Sequence, residues 1–213
     1  VRVALAQIAP KLGDLESNPE LHREAIRLAR REKAGVVVFP ELSLTGYALR
    51  DQVPEIALTR TSPLFKKLLR ASSEADLVVG FVEDDGDVLH NSAAVCAHGE
   101  VVGVYRNQHL PKYAVFDEQR YFEPGTELPL FEIGGLPVAV SVCEDAWQDG
   151  GPIPELGVGG ARVILNINGS PFHAAKGRVR ERLIGALAGA ADCPIVYLNL
   201  VGGQDELVFD GDS

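Results

Sequence analysis

Residues 35 to 40 read GVVVFP, a run of three valines followed by Phe39 and Pro40. A continuous apolar run is typical of a strand that is buried on both faces, whereas a half-exposed strand alternates apolar and polar residues. The run therefore predicts a sheet that is covered on both sides, by helices or by a second sheet. Similar runs recur further along the chain, at LPVAVSV (136–142), ARVILNIN (161–168) and PIVYLNLV (194–201).

Amphipathic segments separate these apolar runs, and we predict helices at about 19–33, 63–75 and 174–191. The first of them has Asn18 in the position of a capping residue. A hairpin is expected from SAAVCA (92–97) and VVGVYR (101–106), and a long polar loop from about Asn107 to Glu127 follows it. The alternation of strands and helices predicts an α/β fold with layered sheets and helices.

Composition excludes several classes of protein. The 213 residues are enough for one large domain, and the net charge of −10 includes no basic patch of the kind that binds nucleic acid. No apolar run approaches the roughly 18 residues of a membrane span, so we expect a cytoplasmic protein with no membrane contact. Three cysteines without CxxC spacing argue against disulfides and structural zinc, and we predict no metal site.

Three chemically useful residues lie at or near the ends of predicted strands. Glu41 follows VVVFP, Cys143 follows VAVSV, and Lys112 lies in the loop after VVGVYR. Functional groups gather at the carboxyl ends of strands in open α/β sheets. Each residue alone could be a loop acid, a packed thiol or a surface cation, but together they favour covalent catalysis by Cys143. We assign Cys96 and Cys193 to packing.

A nucleophilic cysteine needs a base, and two kinds are available. Histidine is the usual one, and a papain-like pair with His109 or His173 is possible, although the flanking signatures of such proteases are missing. A buried glutamate serves equally well if burial raises its pKa towards neutrality.

Five segments of the chain resemble one known family. They are FPELSLTGY (39–47), LPKYAVFDEQRYFEPG (110–125), SVCEDAW (141–147), NGSPFHAAKGR (168–178) and YLNLVGGQDELVFDGDS (197–213). They look like the amidase domain of the glutamine-dependent NAD⁺ synthetases, in the nitrilase or carbon-nitrogen hydrolase superfamily. The resemblance implies that residues 1–213 form a single four-layer αββα sandwich, cut short at its C-terminus, that assembles into homo-oligomers.

The activity that this resemblance implies is hydrolysis of L-glutamine to glutamate and ammonia through a cysteine thioester. The ammonia would serve an ATP-dependent NAD⁺ synthetase domain that amidates deamido-NAD⁺. We expect that C-terminal domain to be absent from this chain, and ATP and Mg²⁺ to belong to it, so that no cofactor is expected here. Two alternatives remain open: a free-standing amidase acting on another ω-amide or a nitrile, and a non-catalytic scaffold with the same fold.

The resemblance also assigns site residues. Cys143 matches the nucleophile, Glu41 the general base and Glu118 the superfamily's second glutamate. It also implies that four residues contact the substrate: Tyr113, Glu144, Ser170 and Lys176. Of these, Glu144 would contribute its backbone N–H, which would face the oxyanion.

One position departs from the family pattern. The family places a catalytic lysine six residues before the tyrosine of its LPxY segment, and this chain has Asn107 there. Lys112 stands where the family often has asparagine. We expect Lys112 to reach the same site from the other side of the loop and to supply the missing cation.

Overall fold

Two β-sheets face each other at the centre of the molecule. The computed structural model describes residues 1–112 and 117–213. The first sheet contains, in spatial order, β1 (Val3–Leu5), β2 (Val36–Val38), β3 (Asp76–Asp84), β4 (Leu89–Ala97) and β5 (Glu100–Arg106). The strands β1, β2 and β3 are parallel, whereas β4 and β5 form the expected antiparallel hairpin.

The second sheet follows in sequence. It contains, in spatial order, β6 (Leu130–Ile133), β7 (Leu136–Val142), β8 (Val163–Asn168) and β9 (Ile195–Asn199). The strands β7, β8 and β9 are parallel, and β6 pairs antiparallel with β7. A separate two-stranded hairpin is made of β10 (Val201–Gln204) and β11 (Leu207–Asp210).

Helices cover the outer faces of both sheets. The described part contains α1 (Asn18–Arg31), α2 (Val53–Ile56), α3 (Pro63–Ser72), α4 (Ile153–Val158) and α5 (Lys176–Ala191). Apolar side chains of α1 and α3 pack on the first sheet, and those of α4 and α5 pack on the second. This order of layers confirms the predicted αββα sandwich. Across residues 1–112 and 117–213, no helix is both long enough and apolar enough to cross a membrane.

The valine run shows why both faces of the sheets are apolar. Val37 joins the cluster under α1 and α3, whereas Val36 and Val38 join the cluster between the sheets, where they meet residues such as Val140 and Leu165. All three valines are buried. Burying each valine side chain contributes on the order of 1.5 to 3 kcal/mol, so the run stabilises two interfaces at once.

Some local predictions were wrong or incomplete. Asn18 does not cap α1, because Ser17 precedes the helix and the Asn18 side chain bonds the backbone carbonyls of Lys11 and Leu44. The helix α3 ends at Ser72, before the predicted end at 75. The short elements β6 and α4 were not predicted, since four to six residues give too little periodicity to read.

Candidate active site

The first side chain of the site, Glu41, follows strand β2 and is fully buried. Its loop passes directly over Gly80 of β3. A Cβ atom at Gly80 would lie 2.4 Å from the carbonyl oxygen of Pro40 and 2.5 Å from the amide nitrogen of Leu42. Glycine at position 80 therefore allows the chain to turn so closely that Glu41 points between the two sheets.

Cys143 follows strand β7 and begins a single 3₁₀ turn, Cys143–Ala146. Its φ angle is 34°, in the left-handed region that non-glycine residues rarely adopt, so the turn holds the thiol in a strained conformation. The thiol lies beside the carboxyl group of Glu41, close enough for each group to change the pKa of the other. The ends of β2 and β7 thus bring together the two residues that the sequence predicted as base and nucleophile.

Asp145 holds this turn in place, although it lies close to the thiol in sequence. Its Oδ2 accepts hydrogen bonds from the hydroxyl of Tyr105, at 2.6 Å, and from the backbone N–H of Val142, at 3.0 Å. Its Oδ1 accepts from the backbone N–H groups of Gln108 and His109, at 3.2 and 3.1 Å. The carboxylate therefore ties the Cys143 turn to the end of β5.

Glu118 joins the cluster through shared hydrogen-bond donors. Asn91 Nδ2 donates to Glu41 Oε1 at 2.7 Å and to Glu118 Oε2 at 3.3 Å. The hydroxyl of Tyr47 donates to Glu118 Oε1 at 2.7 Å, and the backbone N–H of Gly169 donates to Glu41 Oε2 at 2.5 Å. Sequence reasoning missed Asn91, Tyr47 and Gly169, although the last two lie in the segments that carry the family resemblance.

Burial and mutual repulsion raise the pKa values of three acidic groups in the cluster. Burial, and then the charge of Glu118, raise the pKa of Glu41 well above its ordinary value. Burial raises the pKa of Glu118 to about 7. The pKa of the Cys143 thiol is also raised well above its usual range, first by burial and then by Glu41 and Glu118. Neighbouring groups with raised pKa values can exchange a proton, and the carboxylate form of Glu41 becomes more populated as pH rises.

The predicted substrate contacts that the structure describes follow strands β7 and β8 or begin α5. The backbone N–H of Ser170 donates to Asn199 Oδ1 at 2.8 Å. Lys176 Nζ donates to the carbonyl of Pro171 at 2.9 Å and interacts electrostatically with Cys143, while burial lowers its pKa. Glu144 is buried, and its charge contributes to the raised pKa of Cys143.

The role of Lys112 as the cation of the site stays a prediction. Lys112 is exposed, and Tyr113 lies outside the described residues. Asn107, at the position where the family has its lysine, is buried at 1% exposure. The thiol of Cys143 lies beside the carboxyl group of Glu41 and the backbone of Gly169, whereas the ring of His109 pairs with Asp145.

The remaining cysteines serve as internal controls. Cys96 lies in the cluster between the first sheet and its helices, and Cys193 lies in the cluster under α4 and α5. Burial alone raises the pKa of Cys96 to about 12. Their assignment to packing is confirmed. Among the described residues, no group of three or more His, Cys, Asp or Glu side chains is arranged to hold a metal ion.

A thiol on a tight turn beside a buried glutamate, on an αββα sandwich, fits the family that sequence comparison identifies. The profile of the carbon-nitrogen hydrolases matches residues 2–213, and the chain belongs to this family.

Within the family, the comparisons point to one branch. The chain is 40% identical to the glutamine-dependent NAD(+) synthetase of Thermotoga maritima, over all of this chain and 38% of that protein. The solved glutamine-dependent NAD+ synthetase of Acinetobacter baumannii superposes with a TM-score of 0.86 at 36% identity, over 98% of this chain and 40% of that one. The chain therefore spans about two fifths of these relatives.

A more distant structure shares the fold. An amidase from Nesterenkonia sp. superposes with a TM-score of 0.84 at 23% identity, covering 99% of this chain and 80% of that one. At this identity the likeness concerns the sandwich alone.

Proposed function

We propose that this chain hydrolyses the side-chain amide of L-glutamine to glutamate and ammonia. The observation that carries the proposal is the position of the Cys143 thiol beside the buried Glu41 carboxyl group. Its support is the 40% identity, over the whole chain, to a glutamine-dependent NAD(+) synthetase.

The proposed reaction begins with proton transfer. The carboxylate of Glu41 takes the thiol proton of Cys143, and the sulfur attacks the amide carbon of glutamine, forming a C–S bond and an oxyanion. Glu41 gives the proton to the departing nitrogen, the C–N bond breaks, and ammonia leaves a thioester. Water then attacks, Glu41 takes its proton and returns it to the sulfur as the C–S bond breaks, and glutamate is released.

The other residues have proposed supporting roles. Glu118 and Asn91 hold the Glu41 carboxyl group, to which Asn91 donates directly. The backbone N–H of Glu144 and the ammonium group of Lys112 would stabilise the oxyanion. The amino-acid end of glutamine would be held by three groups: Tyr113, Ser170 and Lys176.

We further propose that the ammonia is used by an ATP-dependent NAD⁺ synthetase domain, with ATP and Mg²⁺ bound there, in a cytoplasmic homo-oligomer. The named relatives are two and a half times as long as this chain, which leaves room for such a domain.

Glutamate release measures the activity directly. The protein should produce glutamate and ammonia in equal amounts from glutamine, and Cys143→Ala should produce neither. A preference for a primary amide without an α-amino acid group, at equal concentration, would favour the free-standing amidase instead. Unchanged turnover in Lys112→Ala would remove Lys112 from the mechanism.

Alkylation separates an enzyme from a scaffold. Iodoacetamide should label Cys143 much faster than Cys96 or Cys193, because Cys143 is partly exposed and lies beside a buried glutamate that can take its proton, whereas the other two thiols are buried. Equal, slow labelling of all three thiols would contradict the proposed function.

A further inference from the structure

Asn107 carries an unsatisfied amide at the site. The side chain is 1% exposed, and neither its Nδ2 nor its Oδ1 has a hydrogen-bond partner among the described residues. The Oδ1 of the neighbouring Asn91 is likewise unpartnered there. Buried polar atoms are almost always hydrogen bonded. This group of one donor and two acceptors is therefore expected to bind a polar ligand.

The sheet places this amide on the catalytic face. The backbone N–H of Asn107 donates to the carbonyl of Asn91 at 2.9 Å, so the two residues lie opposite each other on neighbouring strands. Side chains alternate along a strand, and Tyr105, two residues earlier, points towards the second sheet and reaches Asp145. The Asn107 side chain therefore points to the same side.

Asn107 is connected to the catalytic base through one neighbouring residue and to the turn of the nucleophile through others. Asn91 donates to Glu41, whose carboxyl group lies beside the thiol of Cys143. The residues directly after Asn107 donate their backbone N–H groups to Asp145, two positions beyond the nucleophile. The unpartnered amide thus lies between the base and the turn that carries the thiol.

A primary amide is the natural complement of this side chain. Two carboxamides form a pair of N–H···O bonds, each donating to the other, whereas a carboxylate offers only acceptors. A nitrile offers one acceptor and no donor.

We propose that Asn107 binds the carboxamide of the substrate, with Nδ2 donating to its oxygen and Oδ1 accepting from its nitrogen, so that the site selects primary amides over acids and nitriles. The inference rests on the proposed function, which it deepens. Once the amide nitrogen has left, Oδ1 of Asn107 faces an acceptor and the product is bound less tightly than the substrate.

Binding to a variant that cannot turn over the ligand tests this pairing. Glutamine and glutamate would be titrated calorimetrically into Cys143→Ala protein, alone and combined with Asn107→Leu or Asn107→Ala. Loss of two hydrogen bonds should weaken glutamine binding roughly tenfold to a hundredfold and leave glutamate binding unchanged. The matched control is Ser92→Ala, which removes a buried hydrogen bond to Glu83 on the opposite face of the same sheet and should preserve selectivity.

A second ligand pair separates the two proposals. Butyramide and butyrate carry the same amide and acid without the α-amino acid group. If glutamine fails to bind but butyramide is preferred to butyrate, and Asn107→Leu removes that preference, the pairing holds and glutamine is not the substrate. If folded Asn107→Leu or Asn107→Ala protein keeps the amide preference, or the parent shows none, the inference is wrong.

Discussion

Two buried glutamates, one in a strand of the first sheet and one in a loop that follows another of its strands, behave in opposite ways. Glu41 and Glu83 are both 0% exposed. Burial tends to raise the pKa of Glu83, but hydrogen bonds from Arg106, Ser92 and Arg60 outweigh it and the pKa is lowered. Burial and the charge of Glu118 raise the pKa of Glu41, whose described hydrogen-bond partners are neutral.

The difference shows that burial alone does not decide what a carboxyl group can do. Glu83 is held as a permanent anion between two guanidinium groups, at 2.7 Å from Arg60 and 2.8 Å from Arg106. Such a group stabilises the sheet but has no proton to exchange. Glu41 has donors that orient it and no described cation that fixes its charge, so its proton remains exchangeable.

The largest expected effect is a loss of catalytic efficiency, and neutralising each glutamate in turn tests which of the two causes it. Glu41→Gln should lower the catalytic efficiency by about 10²- to 10⁴-fold, the usual contribution of a general base. Glu83→Gln should leave catalysis near the parent value and reduce the free energy of unfolding by about 1 to 3 kcal/mol, because two arginines lose a charged partner. Steady-state kinetics and urea unfolding measure the two effects. A loss of catalysis in Glu83→Gln equal to that in Glu41→Gln would break the comparison.

A cation placed beside Glu41 should make it behave more like Glu83. Because the pKa of Glu41 is raised, its basic form gains population as pH rises, and activity should rise with it. In Asn107→Lys the new ammonium should lower that pKa, moving the rising limb of the pH profile of kcat/KM to lower pH by about 1 to 3 units.

The control for this variant uses the exchange of lysine and asparagine between positions 107 and 112. Lys112→Asn changes the exposed residue alone, and the double variant restores the family's order of lysine and asparagine. Because Lys112 is proposed to act on the oxyanion, Lys112→Asn should lower kcat, whereas the position of the limb should follow the residue at 107 in all three proteins. A limb that follows residue 112 would show that Lys112, and not residue 107, sets the pKa of Glu41.

Much of this arrangement was predictable from local patterns. The valine run predicted burial on both faces, and the strand ends predicted where Glu41 and Cys143 would lie. What local patterns could not give is the pairing across long distances in sequence. Asn91 reaches Glu41 and Glu118 from near the start of β4. It lies there between two other polar residues, His90 and Ser92, and nothing in the sequence distinguishes it from them.

The unsatisfied amide of Asn107 could not be predicted from local sequence patterns either. The sequence showed only that a lysine was missing from that position. Whether a buried polar atom has a partner depends on every element that packs around it, so only the folded chain reveals it.

The smallest expected effect concerns stability, and it separates the two kinds of glutamate by their response to pH. Glu118 has a pKa of about 7 in the folded protein against an ordinary value of 4.5. As pH rises from about 4.5 to about 7, the unfolded chain loses this proton first, so unfolding becomes easier. Glu118→Gln has no such proton and should gain on the order of 1 to 3 kcal/mol relative to the parent between pH 5 and pH 8. The substitution also turns an acceptor for Asn91 into a donor, but that cost is the same at both pH values and cancels in the difference.

Glu83→Gln is the control, because a lowered pKa leaves Glu83 charged in both states throughout this range and its cost should not change. Equal pH responses of the two variants in urea unfolding would show that Glu118 is as firmly charged as Glu83.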